Sequence, residues 1–338
     1  MTIDVSRYVT VDELQLQLEF VTPAFLGGAD QNAELRPASF KGMLRYWWRV
    51  LYGAKYGTDI YKEEGDRFGT TDNKHSKASV VSIQLIAPHI ESQNSGFTGK
   101  LITVSHEGKS FPINILDYLA YGKYDYQKGA GNVYHSSHIT NGSTFTLLVR
   151  SPKLYSEEVF QSVLALINFG SIGSRSRNGF GSMRIISSNQ KTNLEPTKWF
   201  ISHAPIQYSS LSNESKLFIT KQSFVSWEDA LSEIGIIYKN ARTSLEEKHH
   251  FERRGLISRP IEVKGEYNIP QEVKIGRHPK FTFLHVTKTN DNKFQGQIVT
   301  LPIQFYEPNK QTDYKKMVND FHTELAKQMT QKAIGGLK

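Results

Sequence analysis

The sequence runs to 338 residues, with no cysteine, 41 lysines and arginines against 33 acids, 19 phenylalanines and 16 tyrosines. That length suits two domains of ordinary size or one with a large insertion, and a hydrophobic fraction of 38% is that of a folded chain rather than a disordered one. The missing cysteines exclude disulfides and thiolate metal centres, while a formal charge of +8 makes a polyanion a candidate partner.

Met1 to Thr10 carries Asp4 and Arg7 and lacks the apolar core of a secretory leader, and no run is long enough for a membrane span; a soluble, cytoplasmic protein is expected. Residues 13–21 alternate apolar and polar with period two, which predicts a strand burying Leu14, Leu16, Leu18 and Phe20. A loop of small and polar residues follows, Thr22 to Asp30. Ser39, just after Pro37, stands where an N-cap belongs, so a helix is expected from Phe40 to Ala54. Ala78 to Ala87 and Ser143 to Arg150 read as strands, and the stretch between them, about 90–142, is too long for a simple loop and is expected to be an inserted hairpin or lobe. Ser156 is expected to cap a second helix, with Glu157 and Glu158 in its first turn and Val159, Phe160, Val163, Leu164 and Ile167 on one face. Gly170 fits its C-terminal cap, and Ser182 to Ser187 a closing strand.

Strand, helix, strand, strand, helix, strand is the split βαβ order of ferredoxin-like folds, shared with RNA-recognition domains. The class is therefore α+β, with a first domain at 1–190 and a polar, proline-containing linker at 189–196. From 197 to 338 the pattern is weaker: strands at 217–220, 281–286 and 297–301, and helices at 227–247 and 310–332. A second, degenerate copy of the same fold is the economical reading.

Four groups of residues could carry function. The segment Gly170-Ser171-Ile172-Gly173-Ser174-Arg175-Ser176-Arg177-Asn178-Gly179-Phe180-Gly181 joins a helix to a strand and contains no acid. Its glycines permit close ligand approach, its main-chain N–H groups can cradle an anion, and Arg175 and Arg177 suit phosphates. No Gly-Lys-Ser/Thr follows and no helix opens after a strand, so neither a P-loop nor a dinucleotide fingerprint is present. The alternative is a solvated surface loop. On the helix from Phe40, an apolar stripe (Phe40, Leu44, Trp47, Leu51) lies beside a basic and aromatic one (Lys41, Arg45, Trp48, Tyr52). That second stripe suits phosphates and a stacked base, although Trp48 equally suits core packing. The pairs His135 and His138, and His249 and His250, raise metal or acid–base chemistry without a third ligand or an obvious carboxylate, which favours surface or RNA-contacting roles. Glu246 to Arg259 interleaves Lys248, Arg253, Arg254 and Arg259 with glutamates, a solvated helix end or a contact surface.

Thr22 to Asp30, continuing through Glu34-Leu35-Arg36-Pro37 to Ser39-Phe40-Lys41-Gly42-Met43-Leu44-Arg45-Tyr46-Trp47-Trp48-Arg49, resembles the N-terminal signature of the RAMP superfamily of CRISPR systems, and the 170–181 segment resembles its glycine-rich motif. Within that superfamily the likeness is to the first RAMP subunit of type III-B Cmr effector complexes. It covers about the first half; Arg253-Arg254 and Gly276-Arg277-His278-Pro279 match weakly. The resemblance implies two ferredoxin-like domains, a place at the end of the complex near the 3′ part of the guide RNA, neighbours from the same superfamily, and no active site, cofactor or metal. Guide RNA, the guide–target duplex and the other effector subunits are the partners it implies, and antiviral defence the setting. The RNA-contact set is then Arg36, Lys41 and Arg45 from the first motif and Gly170, Gly173, Ser174, Arg175, Ser176, Arg177 and Gly179 from the second. A RAMP endoribonuclease using His135 or His138 on precursor RNA, and a scaffold whose basic faces meet acidic proteins, are the competing expectations.

Overall fold

A computed structural model describes residues 11–30, 32–71, 76–87, 90–106, 109–247, 250–261 and 268–334; Lys248 and His249 lie outside the described residues. The period-two segment forms β1 (Val11–Phe20), its leucines and Phe20 buried and Gln15 and Gln17 exposed. It lies at the centre of a sheet with β2 (Ser82–Ile86), β7 (Thr144–Pro152) and β8 (Met183–Ser188), in the order β8-β1-β7-β2 with every neighbour antiparallel. Register sets Leu14 opposite Val149, Leu16 opposite Leu147 and Leu18 opposite Phe145, so one face is continuously apolar. Helices α1 (Pro37–Trp48) and α4 (Lys153–Phe169) cover that face and share its core through Phe40, Leu44, Trp47, Val159 and Val163.

Both helix starts differ from the expected ones. Helix α1 begins at Pro37, with Arg36 as N-cap, because proline's fixed φ is already helical and its absent N–H is no loss in the first turn. Ser39 therefore sits inside the helix, which runs on through a π-helical turn (Arg49–Gly53) to Tyr56. Helix α4 begins at Lys153, and the Ser156 hydroxyl donates to Asp12 at 2.6 Å instead of capping. Strand β2 is shorter than expected because Val80 and Val81 donate their N–H groups to Arg67, at the end of helix α2 (Ile60–Phe68), rather than to the sheet.

Between β2 and β7 the insertion forms hairpins β3 (Leu101–His106) with β4 (Lys109–Asn114) and β5 (Tyr124–Gln127) with β6 (Gly131–Tyr134), around the short helix α3 (Ile115–Leu119). The second half repeats the order: β9 (Lys216–Thr220), α5 (Trp227–Thr243), β10 (Thr282–Lys288), β11 (Phe294–Thr300), α6 (Gln311–Gln328) and β12 (Met329–Lys332). Its sheet order, β10-β11-β9-β12, is the first sheet's order read from the other end. The expected helix to Lys332 stops at Gln328; Met329 to Lys332 pairs with the free edge of β9, a tertiary partner that local pattern does not reveal. Helix α3 of the insertion lies on α5: Gly235 leaves the room, since a Cβ there would come within 2.8 Å of the Leu119 side chain. The insertion thus braces the two halves. No helix among the described residues is long and apolar enough to cross a membrane.

One polar network sits inside the first half. Glu158 accepts hydrogen bonds from Trp48 Nε1 (3.0 Å), Tyr56 (2.8 Å), Lys55 (3.1 Å) and Arg67 (3.0 Å), and Arg67, buried against the rings of Trp48 and Tyr155, also pairs with Glu63. Burial alone raises the Glu158 pKa, but the hydrogen bonds from Trp48 and Tyr56 and the Arg67 charge outweigh it and hold the carboxyl below its ordinary 4.5. A folded-state pKa below the unfolded one stabilises above the unfolded value and is lost as pH falls through the folded one. Glu158→Ala should therefore destabilise by about 3 kcal/mol in urea unfolding at neutral pH, because Arg67 keeps its charge in a buried site. Below the ordinary carboxylate range the gap between variant and wild type should narrow.

Candidate nucleic-acid interface

The glycine-rich segment is held from two sides. On the first-half side Gly181 donates to Pro23 (2.8 Å), Ile172 to Gly181 (3.0 Å) and Ser174 to Phe25 (2.9 Å). Gly173 (φ 94°) passes so near this strand that a Cβ would lie 2.7 Å from the Phe25 oxygen, and a Cβ on Gly181 (φ 78°) would overlap the Ile172 carbonyl. On the other side Leu284 donates to Arg177 (3.2 Å), Asn178 bridges Leu284 in parallel, and Val286 donates to Ser182 Oγ (3.2 Å). The segment thereby continues the edge of β10.

This divides the predicted residues. Gly170 is buried under Trp47, where a Cβ would strike the indole, and its carbonyl accepts from His285 Nδ1 at 2.6 Å. Gly179 is buried against Leu231. The Arg177 guanidinium lies over the rings of Tyr46 (5.4 Å) and Phe283 (4.9 Å) and donates to the Lys280 carbonyl. The assignment of these three as ligand contacts is corrected: their atoms are engaged in joining the halves. Ser174 and Arg175 are exposed, and Gly173 and Ser176 half-buried.

The open part faces a groove of about 400 Å³. One wall is Phe25 to Gly28 with Ala38, Ser39 and Gly42 of α1; the other is Lys123, Ser136 and Ser137 of the insertion, and Gly173 and Ser174 lie between. The two sequence motifs meet here. No side chain caps α1 and no acid stands in its first turn, so its positive end is not offset locally. Lys123 Nζ lies 5.7 Å from the centre of the Phe25 ring; burial and the Arg175 charge push its pKa down. Burial likewise lowers that of Arg175. Neither cation has an acidic partner among the described residues. Repulsion between the half-buried Lys123 and the exposed Arg175 is relieved by an anion bound beside them. Sequence reasoning missed Lys123, because nothing in a hairpin-rich insertion says which face it turns to the first motif.

Arg36 is exposed at the groove's rim, 3.9 Å from Glu34. Lys41 and Arg45 line a separate hollow of about 570 Å³ with Gly69, Thr70, Thr71, Lys77 and Ser79. Arg45 and Arg49 both grip buried Glu64, at 2.6 and 2.5 Å, so of this pair Lys41 alone keeps its charge unpaired among the described residues. Its pKa is lowered by burial and by Arg45. The expected basic and aromatic stripe does not form a stacking face, since Trp48 and Tyr52 are buried.

The outer face of the first sheet is also unsuited to bases. Its outward positions, Glu13, Gln15, Gln17 and Glu19 on β1, Thr144, Thr146, Leu148 and Arg150 on β7, and Ser82, Gln84 and Ile86 on β2, carry no aromatic ring. Arg150 pairs with Glu13 at 2.6 Å, and Glu19 takes both Arg184 (2.6 Å) and Lys288 (3.0 Å). His138 is buried against Phe25 and Phe97, which pushes its pKa down to about 4, while His135 is exposed 3.3 Å from Asp125. His250 is exposed, and the described residues hold no group suited to a metal. The C-terminal arginines are internally engaged: Arg253 with Asp320, Arg254 with Glu246, and buried Arg259 with Glu307.

The chain is of α+β class, with two four-stranded antiparallel sheets. The RAMP superfamily profile matches residues 17–184. CRISPR system Cmr subunit Cmr1-2 of Pyrococcus furiosus is 30% identical over 186 residues, 51% of this chain and 95% of that protein. The chain belongs to the RAMP superfamily. Within it, the resemblance is to the first RAMP subunit of type III-B Cmr complexes: Cmr1-1 of the same organism is 31% identical over 170 residues, 47% of this chain and 42% of that longer protein. Two solved structures share the fold: the apo crystal structure of Pyrococcus furiosus Cmr1 (TM-score 0.57, 16% identity, 95% and 98% of the two chains) and a chain of type III-B Cmr-beta bound to cognate target RNA and AMPPnP (TM-score 0.55, 14% identity, 93% and 98%).

The two arginines of the segment should separate experimentally. Arg177→Ala should lower stability by about 2 kcal/mol in urea unfolding, as loss of two ring contacts and a hydrogen bond to a carbonyl implies, while Arg175→Ala should stay within about 0.5 kcal/mol of wild type.

Proposed function

We propose that this chain is an RNA-binding subunit of a type III-B CRISPR effector ribonucleoprotein, acting in antiviral defence in the cytoplasm with no catalytic role of its own. It holds guide RNA, near that RNA's 3′ part, through the sugar-phosphate backbone, alongside the other effector subunits. The observation that carries this reading is the groove where both motifs meet, lined by Lys123 and the uncapped start of α1, with exposed Arg175 following its Gly173 and Ser174 and neither cation paired with an acid among the described residues. Its relatives are Cmr subunits by name, and a chain of similar fold belongs to a structure bound to target RNA. Two ferredoxin-like units, 1–190 with an insertion at about 90–142 and 197–338, are the architecture we infer, supported by the matching strand orders of the two sheets. The non-catalytic reading is supported by the histidines: buried His138 packs against the rings of Phe25 and Phe97, and exposed His135 faces Asp125.

Backbone recognition predicts weak sequence dependence and a steep loss of affinity with salt. In fluorescence anisotropy with labelled guide RNA, Lys123→Ala combined with Arg175→Ala should weaken binding about tenfold at low salt and flatten the log–log salt slope by about 1.4, the share of two single-strand phosphate contacts. Arg150→Ala, on the sheet face, should bind as wild type does. Wild-type affinity of the double variant at every salt concentration would remove the groove assignment.

A further inference from the structure

We propose that Tyr121 stacks an unpaired nucleobase and, with Lys123 and Arg175, forms a subsite for one nucleotide of single-stranded nucleic acid. This rests on the groove being an RNA site and adds which form of RNA it takes. Tyr121 follows helix α3, where its N–H donates to the Tyr118 carbonyl at 3.5 Å, and its side chain is 57% exposed. Its hydroxyl and ring have no hydrogen-bond or ring partner among the described residues, and the hydroxyl lies near enough to Arg175 to act on its charge. The next residue, Gly122, has φ 82° and turns the chain, and Lys123 donates to Ala120 at 3.0 Å.

Arg175 meets this turn from the other side. Its φ of 62° is left-handed, a conformation that costs any residue with a Cβ and persists only where its surroundings enforce it. Here Ser174 is tied to Phe25 and Asn178 donates to the Arg175 carbonyl at 2.8 Å. The result lays the guanidinium on the insertion: a Cβ on Gly122 would stand 2.5 Å from an Arg175 terminal nitrogen. An exposed phenol ring, a guanidinium and an ammonium thus share three consecutive positions and the residue that touches them. The nearby acids do not neutralise them, since Asp117 accepts from Asn132 and Tyr134, and Asp125 faces His135. Cations for phosphates beside an exposed ring is how single strands are held, because inside a duplex the base faces are covered by neighbouring pairs, whereas a single strand can turn a base face to the ring.

The test compares a fluorescein-labelled oligouridylate with a short fully paired RNA duplex on the full chain. Tyr121→Ala should weaken oligouridylate binding about tenfold, a typical loss for one base–aromatic stack, leave duplex binding within twofold, and be rescued by Tyr121→Phe. Loss on both probes alike, or on neither while Arg175→Ala weakens both, would overturn the stacking role and leave the groove standing. If Arg175→Ala and Lys123→Ala change neither probe, the groove reading falls and this subsite with it. Circular dichroism of each variant separates misfolding from loss of contact.

Discussion

The hydrogen bonds that Pro23 and Phe25 accept from Gly181 and Ser174 close one side of the glycine-rich segment, and the bond from Leu284 to Arg177 closes the other. Both are main-chain interactions, so they require the backbones to approach more closely than side chains allow. Glycine at 173 and 181 meets that requirement: each has positive φ and a neighbour's carbonyl where a Cβ would be. Once the backbone is fixed, the burial of Gly170 under Trp47 and the seat of Arg177 between Tyr46 and Phe283 follow, and Arg175 is left on the open side. A segment rich in glycine and arginine is thus rigid where it joins the halves and accessible only at its apex.

The same residue types serve two ends here, and their surroundings decide which. Arg45, Arg49, Arg67, Arg184 and Arg259 each meet a carboxylate, and their charge is satisfied within the fold. Lys41, Lys123 and Arg175 do not among the described residues, and the last two are close enough for the charge of Arg175 to push the Lys123 pKa down. A net charge spread over the chain says little about where an anion binds; the unmatched cations do.

Much of the fold was legible in the sequence because β1 and α1 each have one buried face, and a single apolar period imposes one structure; α4 was legible although it is buried on all sides over residues 161–167. The second half was less legible, since its strands around Phe218 and Leu284 are buried on both faces and show no alternation. The closing strand Met329–Lys332 was not, since it exists by pairing with β9. Ser39 and Ser156 looked like caps, but Pro37 starts one helix earlier and Asp12 claims the other hydroxyl. Arg175, expected from its motif, is exposed beside the groove. Gly170, Gly179 and Arg177 were misread because a loop's inner and outer sides have the same composition, and Lys123 was missed because only tertiary folding brings the insertion to the first motif.

The notch that Gly235 leaves for Leu119 and Ile115 also bears on how the chain comes off the ribosome. The apolar face of the insertion has its partner on a helix, Trp227–Thr243, that is made much later, and the strand edge that receives Arg177 and Asn178 later still. During synthesis the wall bearing Lys123 and the apex bearing Arg175 can already be tied to one stretch of first-half backbone, since Ala24 exchanges main-chain hydrogen bonds with Ile139 and Phe25 accepts one from Ser174. The groove is therefore drawn by the first half alone, and the later docking of Trp227–Thr243 on the insertion braces walls that already stand.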